Sequence, residues 1–256
     1  MIMLFNEPVF GPIHSRRLGI SLGINLLPTE SKLCNFDCIY CECGWNTKAE
    51  KKKFNLRNEI KKHLESRLKI MKSENKYPDS ITFSGNGEPT MHPEFAEIID
   101  DTIMLRNKYA PAAKISVLSN ATMIANANVV AALLKVDNAI LKLDSGIDET
   151  ARLINKPQFS YSIDKIIEYM QNLKKQMILQ TMFLRGTYDG KDVDNTTETE
   201  INAWLDAIKR IEPREIMIYT IDRKTPADNL QKLSFAELDK IAEQVRKLGY
   251  KAQVAK

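Results

Sequence analysis

Short β-branched or apolar runs alternate with longer amphipathic stretches along most of this chain. The runs Leu18–Leu27, Ser80–Ser84, Lys114–Ser119, Asn138–Asp144, Met177–Leu184 and Glu215–Ile221 read as six strands. Between them apolar residues recur at helical spacing: Leu56, Ile60, Leu64 and Leu68; Ile163, Ile166, Ile167, Met170 and Leu173; Ile201, Trp204, Leu205 and Ile208. Pro93 suits the first turn of a helix carrying Phe95, Ile98 and Ile99, and Ser234 with Glu237 has capping-box spacing before a helix that stops at Gly249. Tyr250–Val254 reads as a short edge strand, and Asp189–Thr199 as a solvated loop. The alternation is that of βα units around a parallel sheet, an α/β fold. Six units are too few for the closed eight-unit barrel and form either an open doubly wound sheet or a partial barrel. In both, functional loops gather at the C-terminal ends of the strands.

Composition narrows this to an ordinary globular chain. Of 256 residues, 43% are hydrophobic and 27% charged, which predicts one domain spanning residues 1–256. Thirty-seven basic against 33 acidic side chains leave +4, which permits a phosphate-bearing or nucleic-acid partner without requiring one. The N-terminus lacks a basic region followed by an apolar run, and no stretch approaches the roughly 18 apolar residues of a membrane span. A cytoplasmic protein with no membrane partner is therefore expected. All four cysteines fall between residues 34 and 43, which disfavours a disulfide framework and favours a metal or redox site.

Cys34, Cys38 and Cys41 follow the spacing Cys-x3-Cys-x2-Cys in the loop after the first strand. A short loop can turn three such sulfurs onto one inorganic cluster, and three thiolates on four irons leave one iron open to a reactant. A zinc knuckle of Cys34, Cys38, Cys41 and Cys43 is the alternative, although structural zinc sites generally draw ligand pairs from separated segments. Cys43 is either a catalytic thiol or an inert one.

This spacing, with Tyr40 before the third cysteine, resembles the radical S-adenosylmethionine superfamily. Ser84-Gly85-Asn86-Gly87-Glu88-Pro89-Thr90 is similar to its Gly-Gly-Glu segment, with Asn86 in place of the first glycine. Ser119-Asn120-Ala121-Thr122 resembles its Thr-Asn-Gly-Thr segment. The resemblance covers about residues 18–221 and implies a (β/α)6 partial barrel, a [4Fe–4S] cluster on Cys34, Cys38 and Cys41, and S-adenosylmethionine on the open iron. Phe10-Gly11-Pro12, Ser15–Gly19 and Ser21–Ile24 also look like the opening of a group of Fe–S oxidoreductases related to the wyosine-forming tRNA enzymes.

The cofactor-binding set expected on this basis is Tyr40, Gly85, Asn86, Gly87, Glu88, Ser119, Asn120, Lys142, Asp144, Gln180 and Met182. Gly85 and Gly87 permit close backbone approach, and Glu88 is suited to the methionine ammonium; alternatively the glycines make a tight turn and Glu88 caps a helix. Lys142 and Asp144 share one face of an apolar strand and either meet the cofactor or neutralise each other. Gln180 and Met182 share a face of the next strand; Arg185 and Tyr219 are further candidates. The paired guanidinium groups of Arg16 and Arg17 suit a phosphate or carboxylate of the substrate, or are simply solvated. The implied reaction is reductive cleavage to a 5′-deoxyadenosyl radical that abstracts hydrogen from an RNA, nucleoside or small metabolite. The electron would come from a donor such as flavodoxin or ferredoxin. An activase that places a glycyl radical on a partner protein, and a non-catalytic metal-binding module, are the other readings.

Overall fold

Parallel pairing runs in unbroken order through Gly19–Ile24 (β2), Ser80–Phe83 (β3), Lys114–Ser119 (β4), Asn138–Lys142 (β5), Met177–Tyr188 (β6) and Glu215–Thr220 (β8). These are the six expected strands in a computed structural model, which describes residues 3–47 and 53–255. The path ends at Val9–Ser15 (β1), antiparallel to β2, and at Ala252–Val254 (β10), parallel to β8. Among the described residues seven α-helices connect the strands: Arg57–Ser73 (α1), Phe95–Tyr109 (α2), Ala127–Leu133 (α3), Asp148–Asn155 (α4), Ile163–Met170 (α5), Glu198–Ile211 (α6) and Phe235–Lys247 (α7). The architecture is a partial (β/α)6 barrel. No helix among the described residues is long and apolar enough to cross a membrane.

Alternation along each strand sorts two faces. Leu22, Ile81, Phe83, Ile115, Val117, Leu141 and Leu179 pack outward against the helices in the main core. The inward residues split the lumen. On one side hydroxyls form a ladder: Ser21 Oγ donates to Thr82 Oγ1 at 2.7 Å, Ser80 Oγ lies 3.0 Å from Thr82 Oγ1 and 2.9 Å from Ser116 Oγ, and Asn138 Nδ2 donates to Ser116 Oγ at 3.1 Å. On the other, Ile140, Ile178 and Met217 form a separate apolar cluster with Leu18 and Leu118 against it.

Several boundaries differ from expectation. Leu56 is the N-cap of α1 and 63% exposed, so that buried face begins at Ile60. Pro93 lies in a turn two residues ahead of α2, which starts at Phe95. The Asp189–Thr199 segment is not a solvated loop. Asp189 and Gly190 both have positive φ and turn β6 back into Lys191–Asp194 (β7), while Leu230–Lys232 (β9) pairs with the other edge of the β6 extension. The Ser234/Glu237 capping box forms as expected.

Candidate metal and cofactor site

The segment after β2 crosses the C-terminal end of the barrel. Leu33 N donates to Asn86 O at 2.8 Å and Glu88 N donates to Leu33 O at 3.2 Å, a lone parallel bridge to the end of β3. A Cβ on Gly87 would lie 1.9 Å from Leu33 O, and its φ is +139°, so glycine is needed for the loop to lie there at all. Asn46 Nδ2 donates to Cys34 O and Phe36 O, both at 3.0 Å; Cys41 N donates to Cys38 O at 3.1 Å. Beneath the loop the Lys32 ammonium, 2% exposed, donates to Asp37 Oδ1 at 3.0 Å and to Gly44 O at 2.9 Å.

Cys34, Cys38 and Cys41 all line one cavity of 260 Å³. Burial raises the Cys34 thiol and pushes Cys38 up to about 12, whereas Cys41 is lowered by hydrogen bonding from the Cys43 thiol and by the Lys32 charge. Burial alone would lower Lys32, but the surrounding thiols of Cys41, Cys34 and Cys38 overbalance it and keep the ammonium charged. Cys43 does not line the cavity. Its Sγ lies 3.3 Å from Gly85 O, and neighbouring Cys41 together with burial drives its titration far upward. Among the described residues no three His, Cys, Asp or Glu side chains gather as a single ion requires. Three thiols face one cavity and Cys43 is not in its lining, a donor set one short of the four that a closed zinc site needs.

The expected cofactor residues divide by where their side chains go. Gly85, Gly87, Glu88, Ser119 and Asn120 line the cavity. Glu88 is buried and heavily engaged: Oε1 accepts from Thr90 N at 3.0 Å, Thr90 Oγ1 at 2.5 Å and Ser119 Oγ at 2.8 Å, and Oε2 accepts from Asn120 N at 2.6 Å. It also caps the short 3₁₀ turn Pro89–Met91. Burial still raises its carboxyl above the ordinary range. Asn120 Nδ2 donates to Asn35 Oδ1 at 2.7 Å and lies 3.7 Å from Cys34 Sγ. Asn86, expected with this set, turns away: it exchanges hydrogen bonds with Phe5 and donates to Pro28 O at 2.7 Å, which clamps the N-terminal segment. A Cβ on Gly85 would meet Asn25 Oδ1 at 2.6 Å, so both glycines serve loop packing as well as the cavity.

On the opposite wall, Lys142 and Asp144 do pair, with Nζ 3.4 Å from Oδ1. Asp144 itself sits behind the lining, where Tyr40 OH, Asn155 Nδ2 at 2.8 Å and Met182 N at 2.9 Å donate to it. Lys142 donates to Tyr219 OH at 2.6 Å and lies over the Tyr40 ring. Lys142, Tyr40, Gln180, Met182 and Tyr219 line the cavity, as does Arg17. Arg16 instead reaches Asp222 at 3.4 Å, and Arg185 leaves the site for Glu237 at 3.0 Å. Lys32, Asn46, Thr90 and Asn155 were not foreseen. A lysine two residues before the first cysteine is the one signal among them visible in sequence.

Residues 31–199 match the model of a family described as the Radical SAM superfamily. The chain is 33% identical over 217 residues to a UPF0026 protein of Methanocaldococcus jannaschii, covering 82% of this chain and 62% of that protein. It is 29% identical over 243 residues to a protein named GTPase Obg of Brachyspira hyodysenteriae, covering 93% of this chain and 33% of that protein. The chain thus spans a third to somewhat under two thirds of these relatives' lengths. Only a third of the protein named GTPase Obg is covered, so that name describes that protein and not this chain. Among solved structures, Streptococcus suis SuiB bound to S-adenosylmethionine superposes with a TM-score of 0.62 at 14% identity, over 88% of this chain and 48% of that one. An archaeal TYW1 gives 0.52 at 14%, over 89% and 71%. At these identities the likeness is one of fold.

Proposed function

From the fact that this chain belongs to the radical S-adenosylmethionine superfamily, with a [4Fe–4S] cluster and S-adenosylmethionine as its cofactors, we propose that it is an enzyme abstracting hydrogen from a nucleoside-containing or small-metabolite substrate. The carrying observation is that three thiols at the cluster spacing share one cavity with Glu88, Asn120, Lys142 and Met182. The donor set fits the group: a thiolate-favouring Cys41, a buried Lys32 cation that offsets thiolate charge, and a glycine cradle that no other residue can occupy. When bound, the cofactors supply one-electron cleavage of the C5′–S bond and a 5′-deoxyadenosyl radical.

The chain's own contribution is orientation and exclusion of water. Cys34, Cys38 and Cys41 hold the cluster, and Asn120 Nδ2 is placed to donate to the Cys34 sulfur. Glu88 Oε2 has one donor among the described residues, leaving lone-pair capacity for the methionine ammonium. Lys142, fixed between Asp144 and Tyr219, offers its charge to the methionine carboxylate. Met182, anchored through its backbone to Asp144, presents an apolar wall for the adenosine. A small carrier such as flavodoxin or ferredoxin delivers the electron.

The test is anaerobic reconstitution with iron counting, followed by electron paramagnetic resonance of the reduced protein with and without S-adenosylmethionine. A cofactor-dependent spectral change and slow release of 5′-deoxyadenosine are expected. If neither is seen in a protein holding four irons, the reading fails.

A further inference from the structure

The lumen has a second room. A cavity of 480 Å³ lies between the β1–β2 hairpin and the open side of the barrel, and Arg17, Glu42, Ser84 and Leu118 line both it and the 260 Å³ cofactor cavity. Small-molecule sites run at about 300–1,000 Å³, so the second room is large enough for a ligand of its own while the first is small even for its cofactors.

Charges in the shared wall are unevenly answered. Arg16 has Asp222 at 3.4 Å, and Arg223 has Glu42 at 2.6 Å. Lys142 has Asp144 and Tyr219. Among the described residues Arg17 pairs with no carboxylate: its guanidinium lies 4.5 Å from the Tyr219 ring centroid, and its Nη1 is buried without a hydrogen-bond partner. Gln180, 5% exposed, has an Nε2 that is likewise buried and unpartnered, and it lines the same cavity. Met182 pairs with Tyr219 and Gln180 with Met217, so the ring under Arg17 and the Gln180 amide stand on one face of adjacent strands, two residues apart. Both orphaned groups are donors, and one is a cation. What satisfies them is an acceptor bearing negative charge.

We propose that the 480 Å³ cavity is the substrate chamber, and that Arg17, with Gln180 as a second donor, holds the carboxylate or phosphate of a small anionic substrate where the two cavities meet. This rests on the function proposed above and narrows it. A chamber of that size takes a metabolite or mononucleotide and not a folded RNA.

Equilibrium dialysis of the reconstituted protein against inorganic phosphate and, separately, acetate tests this, with the cofactor-induced spectral change recorded on the same samples. Saturable binding of at least one anion at roughly 1–10 mM is expected, and the tighter one identifies the source. Arg17→Gln should weaken it roughly tenfold or more, with iron content and the spectral change retained, and Gln180→Leu, read by anion binding alone, should weaken it less. Arg17→Lys keeps charge without the planar fork and should keep part of the binding; with Gln180→Leu it carries the test if Arg17→Gln does not take up iron. No saturable binding by the unmodified protein, or unchanged binding in the Arg17 variants, overturns the proposal. So does loss of the cofactor response along with the anion in Arg17→Gln, which would give the guanidinium to S-adenosylmethionine. So does anion displacement by a structured RNA more tightly than by a mononucleotide. Anion binding through Arg17 without any cofactor response would sink the function above and leave the anion site standing.

Discussion

The two ends of the same strands are built on opposite terms. At the N-terminal end, the hydroxyls of Ser21, Thr82, Ser80 and Ser116 each meet a partner, and the ladder runs on to Asn138, whose Oδ1 accepts from Arg214 at 2.8 Å. At the C-terminal end, Arg17 and Gln180 have unanswered donors among the described residues, burial raises the thiols of Cys34 and Cys38 and the carboxyl of Glu88, and Ala121 holds φ +65°. A lumen closed on itself stabilises the barrel; a rim with unsatisfied groups is the costlier arrangement, and its groups are the ones proposed above to meet ligands.

The sharpest division is expected at the cysteines. Ala in place of Cys34, Cys38 or Cys41 should abolish cluster binding, whereas Cys43→Ala should retain it, as counted by iron per chain after anaerobic reconstitution. Loss in the Cys43 variant alone would redraw the site. At the other end, Ile178→Ala should cost about 2–5 kcal/mol in denaturant unfolding and leave iron and cofactor binding of the folded fraction intact. A stable variant that no longer binds cofactor would show that the two ends are not separable.

Glu88 tests the border. Glu88→Gln should weaken S-adenosylmethionine binding roughly ten- to a hundredfold. Because four donors converge on this buried carboxyl, the same change should also cost about 1–3 kcal/mol of stability. Since burial sets its folded pKa above the unfolded value, its ionisation costs stability as pH rises from the ordinary carboxylate range through the raised one. E88Q should flatten that part of the pH–stability curve. Unchanged affinity with lower stability would leave Glu88 a cap alone. The smallest effect belongs to Ala121→Gly, which relieves a left-handed alanine and should gain about 1 kcal/mol in thermal or denaturant unfolding, with cofactor affinity unchanged.

The barrel strands were legible because both their faces are buried, which leaves compact apolar runs between polar punctuation. β1 was not, because Gly11-Pro12 and the register shift between Phe10 and Ile13 break its alternation. β7 is polar and depends on pairing with β6, yet the Asp189-Gly190 turn was there to be read. At the site, cysteine spacing is a local property and survives in sequence. Whether Asn86 faces a ligand or Phe5, or Lys32 faces solvent or three thiols, is decided by segments far along the chain and leaves no local trace.

The cysteine loop is cross-braced by its own polar groups: Asn46 ties to Cys34 and Phe36, Lys32 to Asp37 and Gly44, and Leu33 to Gly87. None of these fasteners is a thiol. The consequence concerns rigidity: these ties run between backbone and polar side chains, so they leave the sulfurs of Cys34, Cys38 and Cys41 out of the loop's bracing. The amides of Cys41 and Gly44, which donate to Cys38 O and Cys41 O, should resist hydrogen exchange in the cysteine-to-alanine variants nearly as well as in the unmodified protein.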